Sequence, residues 1–579
     1  MSHRSSALVL VASLSSLAAP AASAAPDVSL HDDGTRAWLL GNGLIELRID
    51  RAGHYLAELR LADGRELLAG NGGYCDLSFS RDPAGDRRST YTRLGTHFPV
   101  RTRVCAQTPA HVDVAVTTDG TLLDPSQRMH PPLLLDLHYV LRRGEPGFYV
   151  YLVVRHPAEL PRIRVHQIRY ILRCDPHLLD SWRLTDDRVG QFVPPDIVAR
   201  SDEIANATFR TPAGEVFTKY FLSMPIEDSP VYGLWGRESG LGLWLIYPAR
   251  EFINGGPTKQ NLTLHEVPGT TCLLADFHSA HYAGPSSVLD LASAWTKIYG
   301  PVFFYVNTSQ SSDDLWARAK ARARREAQRW PHAWLRDAGI AAPWAPRRGT
   351  VRGRVAIEGA TSPKGALVVL GDPSPHWQSQ GKGHLFWARA RADGRFSIPK
   401  VRPGAYMLYA VQKGIYGEAR LSDVLARAGR QTNVGTVTLS PIRHGQTLWQ
   451  IGTPDRTAAE FRHGDDYRHF GLMNDYDAEF PEGVRFEIGR STERTDWNYC
   501  QPGPRPDGSL RPWRVLFDCA EQLRGTALLA LAIADSSYHP PATVEVAVNH
   551  TVAGEMALEP GDSAAPRSGI YGHYQVAEL

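Results

Sequence analysis

The sequence is short of lysine. Eight of its 63 basic residues are lysine and the rest are arginine. Arginine stays protonated in proteins, so a lysine kept in so arginine-biased a chain draws attention to roles that need an amine base. Cysteine is sparse as well. The six, at 75, 105, 174, 272, 500 and 519, form no Cys-x-x-Cys pair, which argues against a zinc cluster. An oxidising compartment permits disulfides, and Cys500 with Cys519 is one pairing within a single unit, but sequence does not decide connectivity. The other four read equally well as small buried hydrophobes. There is no excess of one charge: the formal net charge is +2. That argues against nucleic acid as the main partner, because phosphate binding wants a concentrated basic surface. Beyond the N-terminus no apolar run is long enough to span a bilayer. No Gly-Lys-Ser/Thr follows the glycine pair of "GGPTKQNLTLHEV", which excludes a phosphate loop there. A calcium loop of the DxDxDG type is also missing, so no motif supports a structural calcium ion.

What is present points to a large β protein. At 579 residues the chain exceeds one core, and two to four domains are expected. Glycine at 51 and proline at 41 imply many turns and short strands. The N-terminus, "MSHRSSALVLVASLSSLAAPAASAAP", has a basic Arg4, an apolar run from Ala7 to Leu17 and the small-residue site Ala22-Ser23-Ala24. This pattern is a secretory signal peptide over 1–24, with an exported mature protein.

In a first unit of residues 25–340, the pattern from 27 to about 310 is strand after strand. "LIELRID" alternates Ile45, Leu47 and Ile49 on one face, and "LDLHYVLR" and "GFYVYLVVRH" follow. Period-two alternation with few helical stretches predicts a large antiparallel sandwich. One helix interrupts, in "SSDDLWARAKARARREAQRW". Ser312 or Asp313 is its expected cap, and Leu315, Ala319, Ala323 and Ala327 its packing face. Its cations read as a solvated face rather than an anion site. After the Pro-rich hinge "GIAAPWAPRRGT", residues 346–441 have the size and turn rhythm of a small β-sandwich, with Asp-Gly and Pro-Gly turns. A third unit spans 442–579.

Several long motifs occur in a distinctive order. The first unit carries "GEVFTKYFLS", "GGPTKQNLTLHEV" and "FHSAHYAG". The second carries "WQSQGKGHLFWARARADGRFSIPKVRPGAYMLYAV". The third opens "LWQIGTPDRTAAEF" and continues "HFGLMNDYDAEFPEGVRFEIGRSTERTDWNYCQ". Together they resemble the rhamnogalacturonan lyases of polysaccharide lyase family 4, over nearly the whole mature chain. The resemblance implies a mainly β, three-domain protein. Its parts would be a large antiparallel β-sandwich of galactose-mutarotase type, a small fibronectin-III or regulatory-like sandwich, and a jelly-roll resembling a carbohydrate-binding module. Family members usually continue past a segment like "RSGIYGHYQVAEL", so the third domain is expected to be shortened, with open strand edges.

The resemblance implies β-elimination between rhamnose and galacturonic acid in rhamnogalacturonan I. A base removes the proton on C5, a cation stabilises charge developing on the uronate carboxylate, and an acid protonates the departing O4. No cofactor is implied. The family's catalytic lysine falls in the "GEV…KY" motif, hence on Lys219, and its histidine on His265 of "NLTLHEV". Taken alone, Lys219 reads as a surface strand lysine and His265 as a structural histidine. Lys259 then becomes a substrate contact or a plain loop lysine. "VHQIRYILR" resembles a family strand with a carboxylate-gripping arginine: Arg169, with Arg173 as the runner-up. Where family members place aromatics before the histidine, this chain has Thr258 and Gln260. His281 and Tyr282 are expected to line the cleft. His278 and His281 fall on opposite strand faces, which disfavours a shared metal. Trp377 and Trp387 read as core or interface residues. The expected partner is rhamnogalacturonan I or pectin, the expected state a monomer, and the competing reading a non-catalytic pectin-binding protein on the same scaffold.

Overall fold

The computed structural model describes residues 25–579 apart from 35, 82–88, 125, 229, 280, 283–286, 337–346, 360–361, 520–523, 538–539 and 562–563. The expected signal peptide and the first part of the Pro-rich hinge lie outside the described residues. The protein is mainly β, with many antiparallel sheets. In the first unit a ten-stranded sheet faces a nine-stranded one. The alternation in the sequence sets their faces: Ile45, Leu47 and Ile49 are all buried while Glu46 is exposed. Leu135, Leu137, Tyr139 and Leu141 point into the same inter-sheet core. Their neighbours Asp136, His138 and Val140 are buried too, because the back of the nine-stranded sheet is itself covered.

The cover is the helix α1, Ser312–Arg329. Leu315, Trp316, Ala319 and Ala323 pack on Tyr149, Tyr151, Trp244 and Phe303. Its cap is Ser311, one residue before the expected ones; the Ser311 hydroxyl accepts from the Asp314 amide at 3.3 Å. Ala327 is exposed rather than packed. The buried stripe ends instead on Glu326, which accepts from Tyr149 Oη at 2.8 Å and pairs with Arg322 at 2.8 Å. Burying both ions of an i,i+4 pair is tolerable only because each has further partners, and Glu145 supplies one to Arg322 at 2.6 Å.

The second unit has seven strands between Gly349 and Leu439, in sheets of three and four around Val351, Val368, Leu370, Phe396 and Leu408. The Asp-Gly turn is present: Gly394 has φ 81°, and Asp393 Oδ1 accepts from the Arg395 amide at 3.0 Å. Trp377 is an interface residue, its ring lying where a side chain on Gly256 of the first unit would stand. The third unit forms, among the described residues, three separate two-stranded pairs. Tyr476, Val484 and Phe486 make its small core, with Trp497 and Trp513 against it. Val548, Val552 and Leu510 are more than half exposed. All six cysteines are free thiols, so the Cys500–Cys519 pairing is not formed.

Candidate active site

Four strands of the ten-stranded sheet build the site: β1 (Leu68–Ser80), β2 (Ile163–Cys174), β3 (Leu264–Val267) and β4 (Thr270–Ser279), in the order β1-β2-β4-β3. Directly opposed residues share a face. Asp76, Arg169 and Asp276 form one row across the sheet, and Arg173, Cys272 and His265 another. The alternate residues Ile168, Tyr170 and Leu172 go into the core. The outer face therefore carries Arg169, Arg173 and His265 together, with Tyr74 and Leu274 between them.

Lys219 reaches this face from a different element. It opens a one-turn helix, Lys219–Leu222, capped by Thr218, whose hydroxyl accepts from the Tyr220 amide. Tyr220 is buried with Tyr74, Ile171, Leu262 and Leu274 on the outer face, and Lys219 Nζ lies 5.2 Å from the centre of its ring. The turn is pinned onto β3 by side chains from the "GGPTKQNLTLHEV" segment. Gln260 Nε2 donates to Ser223 Oγ at 2.8 Å, and Thr263 Oγ1 donates to the Leu222 carbonyl at 2.5 Å.

The electrostatics follow from this crowding. Burial, then the charge of Arg169, pulls the Lys219 amine down to about 8, with Asp276 and Asp76 opposing. Burial, then Lys219, Arg169 and Arg173, pulls His265 down to about 3. His265 is thus a neutral imidazole at neutral pH, and its Nδ1 has no hydrogen-bond partner. The site is a lysine close to its neutral form beside a neutral histidine, under two fixed guanidinium charges. That arrangement attracts a carboxylate and supports proton transfer.

The two arginines are not equivalent. Arg169 forks onto Asp76, with Nε at 3.0 Å from Oδ1 and Nη2 at 2.7 Å from Oδ2. Arg173 has one long bond, 3.4 Å to Tyr74 Oη, and its Nε is unpartnered. Arg173 is therefore the more available fork, while Arg169 is held by a carboxylate of the protein. Lys259 is not a solvent-facing loop lysine. It is 2% exposed, and its Nζ donates to Asn261 Oδ1 at 2.6 Å; its charge bears on the buried Asp276. Gly255 stays at φ 80° where any side chain would strike the Lys259 stem. Thr258 and Gln260 are buried as well.

His281 lies beside Tyr220, with ring centroids 6.5 Å apart. Tyr282 is 1% exposed and donates to the Arg567 carbonyl at 2.6 Å. His278 is buried against Gly381 of the second unit. Among the described residues, one trio with metal-ligand chemistry clusters, Cys105, Asp113 and His138, within 4.8 Å. It lies on the other sheet. Both Asp113 oxygens are engaged there, by His138 Nδ1 and Tyr151 Oη at 2.8 Å each.

Sequence reasoning missed Asp76, Tyr74 and Asp276. Tyr74 and Asp76 alternate in "NGGYCDLS", where the glycines hide the strand.

The chain is a large β-sandwich with a lysine, a histidine and two arginines gathered on one outer sheet face, followed by two smaller β units. Comparison with known proteins gives its class. Residues 13–205 match the rhamnogalacturonate lyase family. Residues 355–434 and 447–579 match domains II and III of polysaccharide lyase family 4, the latter described as carbohydrate-binding-module-like. The chain is 31% identical over 498 residues to a rhamnogalacturonate lyase of Dickeya dadantii, covering 85% of this chain and 78% of that protein. It is 27% identical to rhamnogalacturonate lyase B of Emericella nidulans, covering 69% of this chain and 66% of that one. A galactose mutarotase-like structure from Lactobacillus casei aligns at 11% identity over 48% of this chain and all of its own, with a TM-score of 0.30. The chain belongs to the rhamnogalacturonate lyase family.

Proposed function

We propose that the protein is an exported endolyase that cleaves the rhamnose–galacturonate bonds of rhamnogalacturonan I by β-elimination. Lys219 is the base and His265 the acid. The observation that carries this reading is the convergence of Lys219, His265 and Arg173 on one sheet face from three separate elements. A substrate carboxylate neutralised by Arg173 draws electrons from C5 more strongly, which acidifies the C5 proton. Neutral Lys219 takes that proton. The electron pair forms the C4–C5 double bond, the C4–O4 bond breaks, and the leaving oxygen takes a proton from His265. The bound uronate brings a negative charge that offsets the cations around His265 and raises its affinity for a proton.

The test is incubation with rhamnogalacturonan I. New ultraviolet absorbance from unsaturated uronic ends is expected, with viscosity falling early as internal bonds break. Binding without such products would leave a pectin-binding protein instead. Export is tested by sequencing the N-terminus of protein recovered outside the cytoplasm, expected to begin at Ala25.

A further inference from the structure

The third unit does not stand apart from the site. Its segment from Ala564 to Tyr571 crosses onto the sheet face that carries Lys219. Ala564 is buried in the same cluster as Tyr74, Ile171, Tyr220 and Leu274. The one-turn helix Ala565–Arg567 ends at Ser568, whose φ of 57° reverses the chain. Gln260, fully buried in the first unit, spends its side chain on this segment. Its Oε1 accepts from the Ile570 and Tyr571 amides, and its Nε2 is 3.5 Å from the Ser568 carbonyl. The same Nε2 donates to Ser223, next to the turn that carries Lys219. A second tie runs through Arg468 of the third unit, which donates to the Phe221 and Ser223 carbonyls at 3.0 and 3.2 Å. Arg188 of the first unit donates to the same two carbonyls.

These anchors bring Arg567 beside the sheet face that carries Lys219. Its main-chain carbonyl accepts from Tyr282, next in sequence to His281, and its charge bears on both His281 and Lys219. We propose that Arg567 is a substrate-binding residue that holds a galacturonate carboxylate, so that the third unit completes the active-site cleft. This rests on the lyase reading above for the identity of the sugar acid. The chemistry is that of a planar cation facing a polymer with one carboxylate in every disaccharide, beside a site already biased toward anions.

The experiment measures binding of rhamnogalacturonan I oligosaccharides by calorimetry in the Lys219→Ala background, where turnover does not intervene. Arg567→Gln is expected to weaken binding by about tenfold or more, the loss expected for a charge-assisted contact. It should leave binding of carboxyl-reduced oligosaccharides unchanged, and Arg567→Lys should recover part of the loss. The Tyr282 bond uses the backbone, so both variants keep that anchor. In the otherwise wild-type enzyme, Arg567→Gln removes a cation near Lys219 and should move the acidic limb of the rate profile to higher pH. Equal losses on native and carboxyl-reduced sugars, or no loss on either, would overturn the proposal. Elimination surviving in Lys219→Ala would sink the base assignment instead and leave the binding comparison intact.

Discussion

Thr263 donates its hydroxyl to the Leu222 carbonyl at 2.5 Å, with both residues buried. This bond joins the turn that begins at Lys219 to the strand that continues into His265. Gln260 and Ser223 make a second joint beside it. The spacing of Lys219 and His265 is therefore set in part by these two side-chain hydrogen bonds.

Removing that joint should loosen the pair. Thr263→Val keeps the shape and deletes the donor, leaving a buried carbonyl short of a partner, at a cost of about 1–3 kcal/mol in folding stability. Turnover should fall by more than substrate affinity, because orientation rather than binding is lost. Steady-state kinetics with a denaturant titration check both. An unchanged kcat would mean that the turn is held by its other contacts.

Lys219→Ala should lower kcat by about 10²–10⁴-fold, the range for loss of a positioned base. Lys219→Arg should not restore it, because a guanidinium does not give up its proton at working pH. The sign of the pH dependence follows. The amine is pulled down to about 8 by burial and by Arg169, and the neutral form is the base. Activity should therefore rise with pH and level off above about 8. A profile that falls through this range would assign Lys219 the acid role.

His265 is expected to stay neutral from pH 8 down to about 4, since burial and three neighbouring cations hold it near 3. Proton-detected NMR of the imidazole checks this directly. Lys219→Ala removes the largest of those charges, so the midpoint should move up. Adding an uncleaved galacturonate-containing oligosaccharide should move it further the same way. A midpoint at an ordinary histidine value before either change would mean that the imidazole is better hydrated than its position indicates.

Much of this was legible in the chain, and the reason differs between elements. Strands such as Ile45–Asp50 were readable because one buried face forces strict alternation. Composition drew attention to lysine as a type, but Lys219 and His265 were picked out through the family motifs, since neither composition nor periodicity says that two residues 46 positions apart meet on one face. The engagement of Arg169 was not readable: Asp76 lies 93 residues away and reaches it only through strand pairing. Lys259 misled for a related reason. Its neighbours Gly255, Gly256 and Pro257 look like an exposed loop, but the second unit packs Trp377 onto that loop and buries it.

The Asp76–Arg169 fork gives the last prediction. Asp76 is 1% exposed, and Arg169 is largely buried with it. Asp76→Asn would leave a buried guanidinium without its counter-charge, a loss of about 3–5 kcal/mol in stability. A chemical effect should accompany it. Asp76 raises the affinity of Lys219 for its proton, against the stronger effects of burial and Arg169. Taking that negative charge away should move the acidic limb of the rate profile to lower pH, opposite to the shift expected from Arg567→Gln. Two single substitutions on either side of Lys219, moving one limb in opposite directions, would identify that limb with the lysine. Shifts in the same direction would point to another titrating group.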